Sequence, residues 1–245
     1  MLLVEPLSPD LRLITLNRPE KRNALTRELI MQLTQSITHA GAAKDVRGVL
    51  LAGKGPSFCA GVDLQEFRTG TVESGRAMIL ALQQLCKTVR GLSKPVACAI
   101  QGHCLGGALE LAACCDFRVC TPHALLGMPE VFLGIPSVID AVMLSRHIGA
   151  GRACELLLTG DAIDGETAHA WGLANRVASP EALLDTAAQL VRKVTRHAPE
   201  VIAAQKRLHQ QWLDLPYSTA VDASVDSLLE AFASGRPQRI ASDRR

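Results

Sequence analysis

The chain has 245 residues, 48% of them apolar and 20% charged, which suits one large domain with an ordinary core, or one domain with an appendage. A formal net charge of +2 provides no global field for nucleic acid or a membrane surface, and 3% aromatic residues argue against a base-stacking surface. No stretch has the roughly 20 uninterrupted apolar residues of a membrane span. Met1-Leu2-Leu3-Val4-Glu5-Pro6 lacks the basic start and apolar run of a signal peptide. Basic residues are scattered, apart from Arg244-Arg245 at the end. Among the eight cysteines there is no C-x-x-C pair, so no metal site is expected. Cys98, Cys104, Cys114, Cys115 and Cys120 sit among alanines and read as small buried hydrophobes of a reducing, cytoplasmic compartment.

In chain order, Leu2–Val4 and Leu11–Leu16 are two predicted strands joined at Ser8-Pro9-Asp10. Asn17–Asn23 is a polar loop. Thr26 caps a helix that carries Leu29, Leu33 and Ile37 at helical spacing and fades near Gly41. Val46–Ala52 is a buried strand; it enters the turn-rich Gly53–Phe58, and Ala60-Gly61-Val62-Asp63 then opens a short helix. Glu73–Leu92 is a long amphipathic helix with Met78, Leu82, Leu85, Val89 and Leu92 on one side. Lys94–Ile100 is a strand, followed by a turn and a helix that opens at Gly106-Gly107 and runs through Cys115. Asp116–Cys120 and Ala124–Gly127 are short apolar strands. Val138–Ile148 and Ala153–Leu158 are helices separated at Gly149, Asp164–Trp171 is a helix closed by Gly172, and Ala174–Val177 is extended. From Pro180 the pattern is helical, with breaks near Ala198-Pro199 and Leu215-Pro216. Strands with crossover helices followed by helices alone predict an α/β core over 1–178 and a helical region over 179–245.

Chemistry concentrates at Gln101–Glu110. A helix N-terminus exposes unpaired backbone N–H groups, and glycine lets a ligand oxygen approach them. Glu110 follows Gly107 by one helical turn and shares its face. Ala60-Gly61-Val62-Asp63 repeats the pattern and offers the Val62 N–H. Two such donors on one carbonyl oxygen make an oxyanion hole. Met128-Pro129-Glu130 adds a second carboxylate after an apolar strand, where a raised pKa suits an acid. Each piece alone has an ordinary alternative: a glycine-rich helix start, a loop capped by Asp63, a solvated glutamate. His103 has no serine or cysteine nucleophile in a motif, and no base is placed for Cys104. G-x-G-x-x-G and G-x-x-x-x-G-K-S/T are absent, which leaves dinucleotide and nucleoside-triphosphate binding unsupported.

Taken in order, these stretches resemble the crotonase superfamily, the enoyl-CoA hydratase/isomerase group. The matches are Asn17–Leu25 (NRPEKRNAL), Phe58–Leu64 (FCAGVDL), Lys94-Pro95-Val96, Gly102–Ala112 (GHCLGGALELA), Pro129-Glu130-Val131 with Leu133–Pro136, Leu158-Thr159-Gly160 and Ala170–Asn175 (AWGLAN). The resemblance implies a spiral of repeated ββα units, with a C-terminal helical region that builds a homotrimer or a dimer of trimers. It implies an acyl-CoA thioester substrate, with no cofactor beyond the coenzyme A that the substrate carries. The oxyanion hole falls on the N–H groups of Val62 and Gly107. Ala60, Gly61, Val62, Asp63, Leu64, Gln65, Gly106 and Gly107 line the substrate and CoA path, and Lys21 and Arg22 lie near the CoA phosphates. Hydratases of this superfamily use two glutamates, matched here by Glu110, which holds and activates water, and Glu130, which serves the proton at C2.

Three departures stand out. Ser137-Val138-Ile139-Asp140-Ala141 replaces a Gly-Gly-Thr-Gln-Arg-like run and makes Asp140 a further candidate for the site. Gln65 stands where many members have lysine. The C-terminus, around Gly235–Ile240, ends without the usual last helix. Three functions remain distinct: a 2-enoyl-CoA hydratase, an isomerase using Glu130 alone, and a non-catalytic acyl-CoA-binding member, against which the retention of both glutamates argues.

Overall fold

The computed structural model describes residues 1–68 and 70–242; Arg244 and Arg245 lie outside them. The elements run β1 (Leu2–Ser8), β2 (Leu11–Leu16), α1 (Arg27–Ala42), β3 (Gly48–Gly53), α2 (Leu64–Arg68), α3 (Val72–Gly91), β4 (Val96–Ile100), β5 (His103–Leu105), α4 (Gly107–Ala113), β6 (Phe117–Cys120) and β7 (Leu125–Gly127). They continue as α5 (Val142–Thr159), α6 (Gly165–Ala170), β8 (Arg176–Val177), α7 (Leu183–Thr195), α8 (Pro199–Asp214), α9 (Tyr217–Ala233) and α10 (Arg236–Ser242).

Six strands form one sheet in the order β1-β2-β3-β4-β6-β8; β1 pairs antiparallel with β2 and the other pairs are parallel. β3 and β4 are continuous runs of small and branched apolar residues because the sheet is covered on both faces. One face carries α1 and α3. Thr26 caps α1 by accepting from the Leu29 N–H at 3.2 Å, and the helix buries Leu29, Ile30, Leu33, Ile37 and Ala40 at the spacing the sequence predicts. α3 starts at a Thr71–Ser74 capping box and buries Met78, Leu82, Leu85, Cys86 and Val89.

α7 covers the other face: Leu183, Ala187, Ala188 and Val191 pack with Leu11, Leu13, Leu50, Ala97, Ala99 and Val119. The expected boundary at 178/179 therefore does not separate two packing units. The helix just beyond it packs its apolar stripe on the sheet.

A second ladder is the feature that positions the site. Cys59 bridges Cys104 in parallel, and β5 pairs in parallel with β7. Successive turns of the chain thus each add one strand to the main sheet (β3, β4, β6) and one step to this ladder (Cys59, β5, β7). That is the expected spiral of repeated units. β5 lies inside the segment the sequence predicts as a turn. Gly102, at φ +55°, bends the chain and lets it re-extend, and a Cβ there would strike the Pro56 carbonyl oxygen. Three residues are too few to display strand alternation.

Two boundaries differ from expectation. The predicted helix start at Val138 is instead extended chain and a 3-10 turn, Ile139–Ala141, with Ile139 at φ +53°. The two helices predicted on either side of Gly149 are both present within α5: the backbone at Gly149 (φ +79°, ψ 160°) is not helical, and they meet there at a kink. At the C-terminus, Arg236–Ser242 forms α10, so a last short helix is present where the sequence reading has none. No helix among the described residues is long and apolar enough to cross a membrane.

Candidate active site

The ladder brings three chain segments side by side at one end. Hydrogen bonds Cys59 N–H to His103 O (2.9 Å), Leu105 N–H to Cys59 O (3.2 Å) and Gly106 N–H to Gly127 O (2.9 Å) tie residues 59–62, 105–110 and 127–130 together. An apolar pocket of about 350 Å³ opens between them, and both Glu110 and Glu130 line it.

The first wall is backbone. Val62 bridges Leu25 in parallel: the Gly61 carbonyl accepts from Leu25 N–H, and Asp63 N–H donates to the Leu25 carbonyl. In that geometry the intervening Val62 N–H points away from Leu25. Among the described residues it has no partner, and neither has the Gly107 N–H, which opens α4 where no intrahelical acceptor exists. A Cβ on Gly107 would stand 3.4 Å from Val62 Cγ2, so the two segments converge. Gly106 sits at φ +53°, and a Cβ on it would collide with Glu130 Oε1. Glycine is required there both for the turn and for the approach of the carboxylate.

The loop that closes this wall is held from behind. Asn23 is fully buried; its side-chain oxygen accepts from Arg18 N–H (2.8 Å), and its amide donates to the carbonyls of Lys54 (3.0 Å) and Ser57 (2.8 Å). Arg18 reaches Asp63 at 3.1 Å through both terminal nitrogens. These contacts set Arg22 on the pocket rim in a left-handed conformation (φ +48°), its carbonyl accepting from Ala60 N–H.

The two carboxylates have unlike surroundings. Glu110 rises from the first turn of α4, whose residues are all buried. Burial foremost, then the charges of Glu130 and Asp140, push its pKa up to about 8; the Ala141 backbone N–H opposes this. Glu130 sits half-buried on a 3-10 turn, Pro129–Leu133, which begins at proline and is closed by Gly134 at φ +73°. Ser137 Oγ donates to Glu130 Oε2 at 3.0 Å. The remaining lining is apolar: Ile79 and Leu82 of α3 face Phe132, Leu133, Ile135 and Val138.

Of the residues singled out from the sequence, Arg22, Ala60, Gly61, Val62, Leu64, Gly106, Gly107, Glu110 and Glu130 meet at this pocket. Lys21, Asp63 and Gln65 are not part of its lining. Asp63 turns inward to Arg18 and orders the wall from behind. Gln65 is exposed one residue past the lining residue Leu64, and its backbone N–H donates to Asp63 Oδ1 at 3.0 Å. Lys21 is exposed on the 3-10 turn ahead of Arg22. Asp140 lies behind the pocket, 4% exposed, paired with Arg90 at 3.3 Å. Its acid neighbours include the thiols of Cys86 and Cys114, whose ligand atoms lie within 4.8 Å of one another and of the carboxylate. Arg90 already supplies the countercharge there. Hydrogen bonding to Cys114 and burial push the Cys86 thiol well up.

The Ser137 contact to Glu130, the His103 contact to Ser57 and the pairing of Asp140 with Arg90 are what sequence reasoning did not supply; Asp140, singled out as a candidate, lies behind the pocket and not on its lining. His103 lines the pocket with Nδ1 3.0 Å from Ser57 Oγ. No sequence pattern marks these contacts, since each joins segments that are apart in the chain or lie in irregular backbone. Leu82 alone carried a signal, as a member of the apolar stripe of α3.

Residues 9–238 match the enoyl-CoA hydratase/isomerase family. A mevalonyl-coenzyme A hydratase of Aspergillus fumigatus is 32% identical over 230 residues, which span 93% of this chain and 85% of that protein. A short-chain-enoyl-CoA hydratase of Clostridium acetobutylicum is 31% identical over 223 residues, 90% of this chain and 85% of that one. The crystal structure of an enoyl-CoA hydratase from Bacillus anthracis superposes with a TM-score of 0.93 at 28% identity, covering 100% of this chain and 96% of that chain.

Proposed function

Because the chain belongs to the enoyl-CoA hydratase/isomerase family of the crotonase superfamily, we propose that it is an enoyl-CoA hydratase, adding water across the 2,3 double bond of a 2-enoyl-CoA thioester. The observation that carries this is the pair of carboxylates, Glu110 and Glu130, on one apolar pocket beside two backbone N–H groups that have no partner among the described residues.

The thioester oxygen accepts from Val62 N–H and Gly107 N–H, which draws the π electrons of the double bond toward the carbonyl. Glu110 holds the water at C3. As the water oxygen bonds to C3, its proton passes to the Glu130 carboxylate, and the negative charge rests on the thioester oxygen as an enolate. The enolate then collapses and takes that proton at C2. Glu130 ends ionised as it began, and one water has been added. A Glu110 carboxyl pushed up to about 8, by burial first and then by the charge of Glu130, suits a group that holds water. The chemistry needs no cofactor and no metal. Arg22, on the rim, and Lys21 beside it supply positive charge for the CoA phosphates.

The same reading includes assembly and location. α8 and α9 leave Trp212, Leu228, Leu229 and Phe232 about half exposed, at 47%, 57%, 61% and 51%. Helices of that kind gain most of their stability from packing, so a homotrimer or a dimer of trimers is the expected species. Sedimentation as a monomer at micromolar concentration overturns it. Free cysteines fit a reducing, cytoplasmic setting.

The deciding experiment follows turnover across crotonyl-, branched, aryl- and long-chain 2-enoyl-CoA esters by loss of the conjugated thioester's absorbance, with product analysis. A 3-hydroxyacyl-CoA product is expected. Double-bond migration that needs Glu130 but not Glu110 assigns an isomerase, and binding without turnover assigns a carrier.

A further inference from the structure

We infer that Ser137 is a positioning residue for this reaction: its hydroxyl holds the Glu130 carboxylate against the Gly106 turn, in place to accept the water proton. The inference rests on the hydratase reading for its chemical meaning, but the contact itself stands apart from it.

Three observations converge. Ser137 Oγ donates to Glu130 Oε2 at 3.0 Å across a loop of seven residues. The other carboxylate oxygen, Oε1, is packed so closely on Gly106 that a Cβ there would collide with it. The carboxylate is therefore gripped at both oxygens, between a hydroxyl donor and a backbone that only glycine can form. Third, the 3-10 turn that carries Glu130 is short and its apolar side chains are exposed: Phe132 is 68% exposed and Leu133 51%. Packing alone does not hold this glutamate as it holds Glu110, so a hydrogen bond has to do so.

The electrostatic surroundings make the hydroxyl consequential. Glu110 faces Glu130 from α4, and Asp140 lies behind Glu110 from the next 3-10 turn, neutralised in part by Arg90 of α3. Arg22 and His103 line the pocket from the first wall. Two carboxyl groups line one apolar pocket, and a hydroxyl donor on one of them favours its charged form. Ser137 donates to Glu130, whereas Glu110 is raised by burial.

Ser137→Ala and Ser137→Gly remove the hydroxyl, and Ser137→Thr restores it. For hydration of the best substrate, Ala and Gly are expected to lower kcat about 10-fold with KM within about 2-fold, the size of one lost charge-assisted hydrogen bond discounted for partial exposure. They also move the acid limb of the pH–rate profile up by roughly half to one unit, because losing a donor to the charged form raises that carboxyl's pKa. Threonine returns both quantities to near wild type. In a Glu130→Gln background, Ser137→Ala has no further effect on kcat. Acid limbs of Ala and Gly that superimpose on wild type, or a threonine variant as impaired as alanine, overturn the inference. A protein that hydrates nothing overturns the hydratase reading and not this contact. The Glu130 carboxyl signal in a ¹³C-glutamate NMR titration, assigned by its loss in Glu130→Gln, then reads the same upward shift in Ser137→Ala without turnover. An unmoved signal refutes the role of Ser137.

Discussion

The two walls of the pocket each deliver a glutamate by opposite means. On the first wall, Glu110 grows from a helix in which every residue is buried, and the neighbouring donors are backbone groups locked by the ladder from Cys59 to Leu105. On the second, Glu130 rides a short 3-10 turn with exposed apolar side chains and is held by a side chain, Ser137. A buried wall fixes geometry and raises a pKa through desolvation. An open wall holds its carboxylate through a hydrogen bond and leaves apolar side chains exposed. In the proposed mechanism one residue type thus serves two roles through two environments.

The largest expected effect tests whether both walls are chemical. Glu110→Gln and Glu130→Gln should each lower hydration by about 10²–10⁴-fold, with acyl-CoA binding retained by calorimetry. Full activity in either variant removes that wall from the mechanism.

Next comes the backbone of the first wall. Gly107→Pro deletes the proposed donor at a helix position that tolerates proline. Turnover should fall by about 10²–10³-fold while circular dichroism and assembly persist. Gly107→Ala is the control for bulk, and it carries its own strain: the new Cβ stands 2.7 Å from Leu82 Cδ2, the end of a side chain that has to give way. It should lose much less than the proline variant; equal losses would mean that crowding and not the N–H is at stake.

The desolvation of Glu110 has a signature in stability. Its pKa rises in the folded protein from 4.5 to about 8. The associated stability is therefore present below about pH 4.5 and is lost as pH rises through about 8. Between about pH 5 and 9, denaturant unfolding of wild type should lose on the order of a few kcal/mol relative to Glu110→Gln. Parallel stability curves would place the glutamate in a wetter site.

The smallest effect belongs to the open wall. Phe132→Ala should change stability by less than about 0.5 kcal/mol, since the ring is 68% exposed, yet alter KM several-fold among acyl groups. Leu82→Ala on the opposite face, at 1% exposure, should cost about 2–5 kcal/mol. Similar melting temperatures for the two variants would dissolve the distinction between a fixed and an open wall.

Most of the fold was legible because its signals are local. Thr26, the period of Leu29, Leu33 and Ile37, and the stripe on α3 are rules about neighbours a few residues apart. β5 was not legible, being three residues long and defined by partners at Cys59 and β7. α10 and the start of α5 were misplaced because glycine, proline and serine there read as breaks, while tertiary contacts supported a short helix in one case and a 3-10 turn at Ile139 in the other. At the site, the glycines and both glutamates stood out by spacing. The Ser137–Ala141 stretch and Asp140 were singled out, but their pairing with Glu130 and Arg90 was not, because those contacts join separate segments.

By itself, the sequence determined the order of elements, the glycine turns at Gly61 and Gly106, and the two carboxylates, because propensity, periodicity and positive φ are properties of a few consecutive residues. Tertiary structure decided that residues 59–62, 105–110 and 127–130 meet, since only the parallel ladder joins them. It also decided which glutamate is buried and which is hydrogen-bonded. Proton affinity follows from solvent exclusion and neighbouring charge, and those are set by the packing of distant segments around each carboxylate.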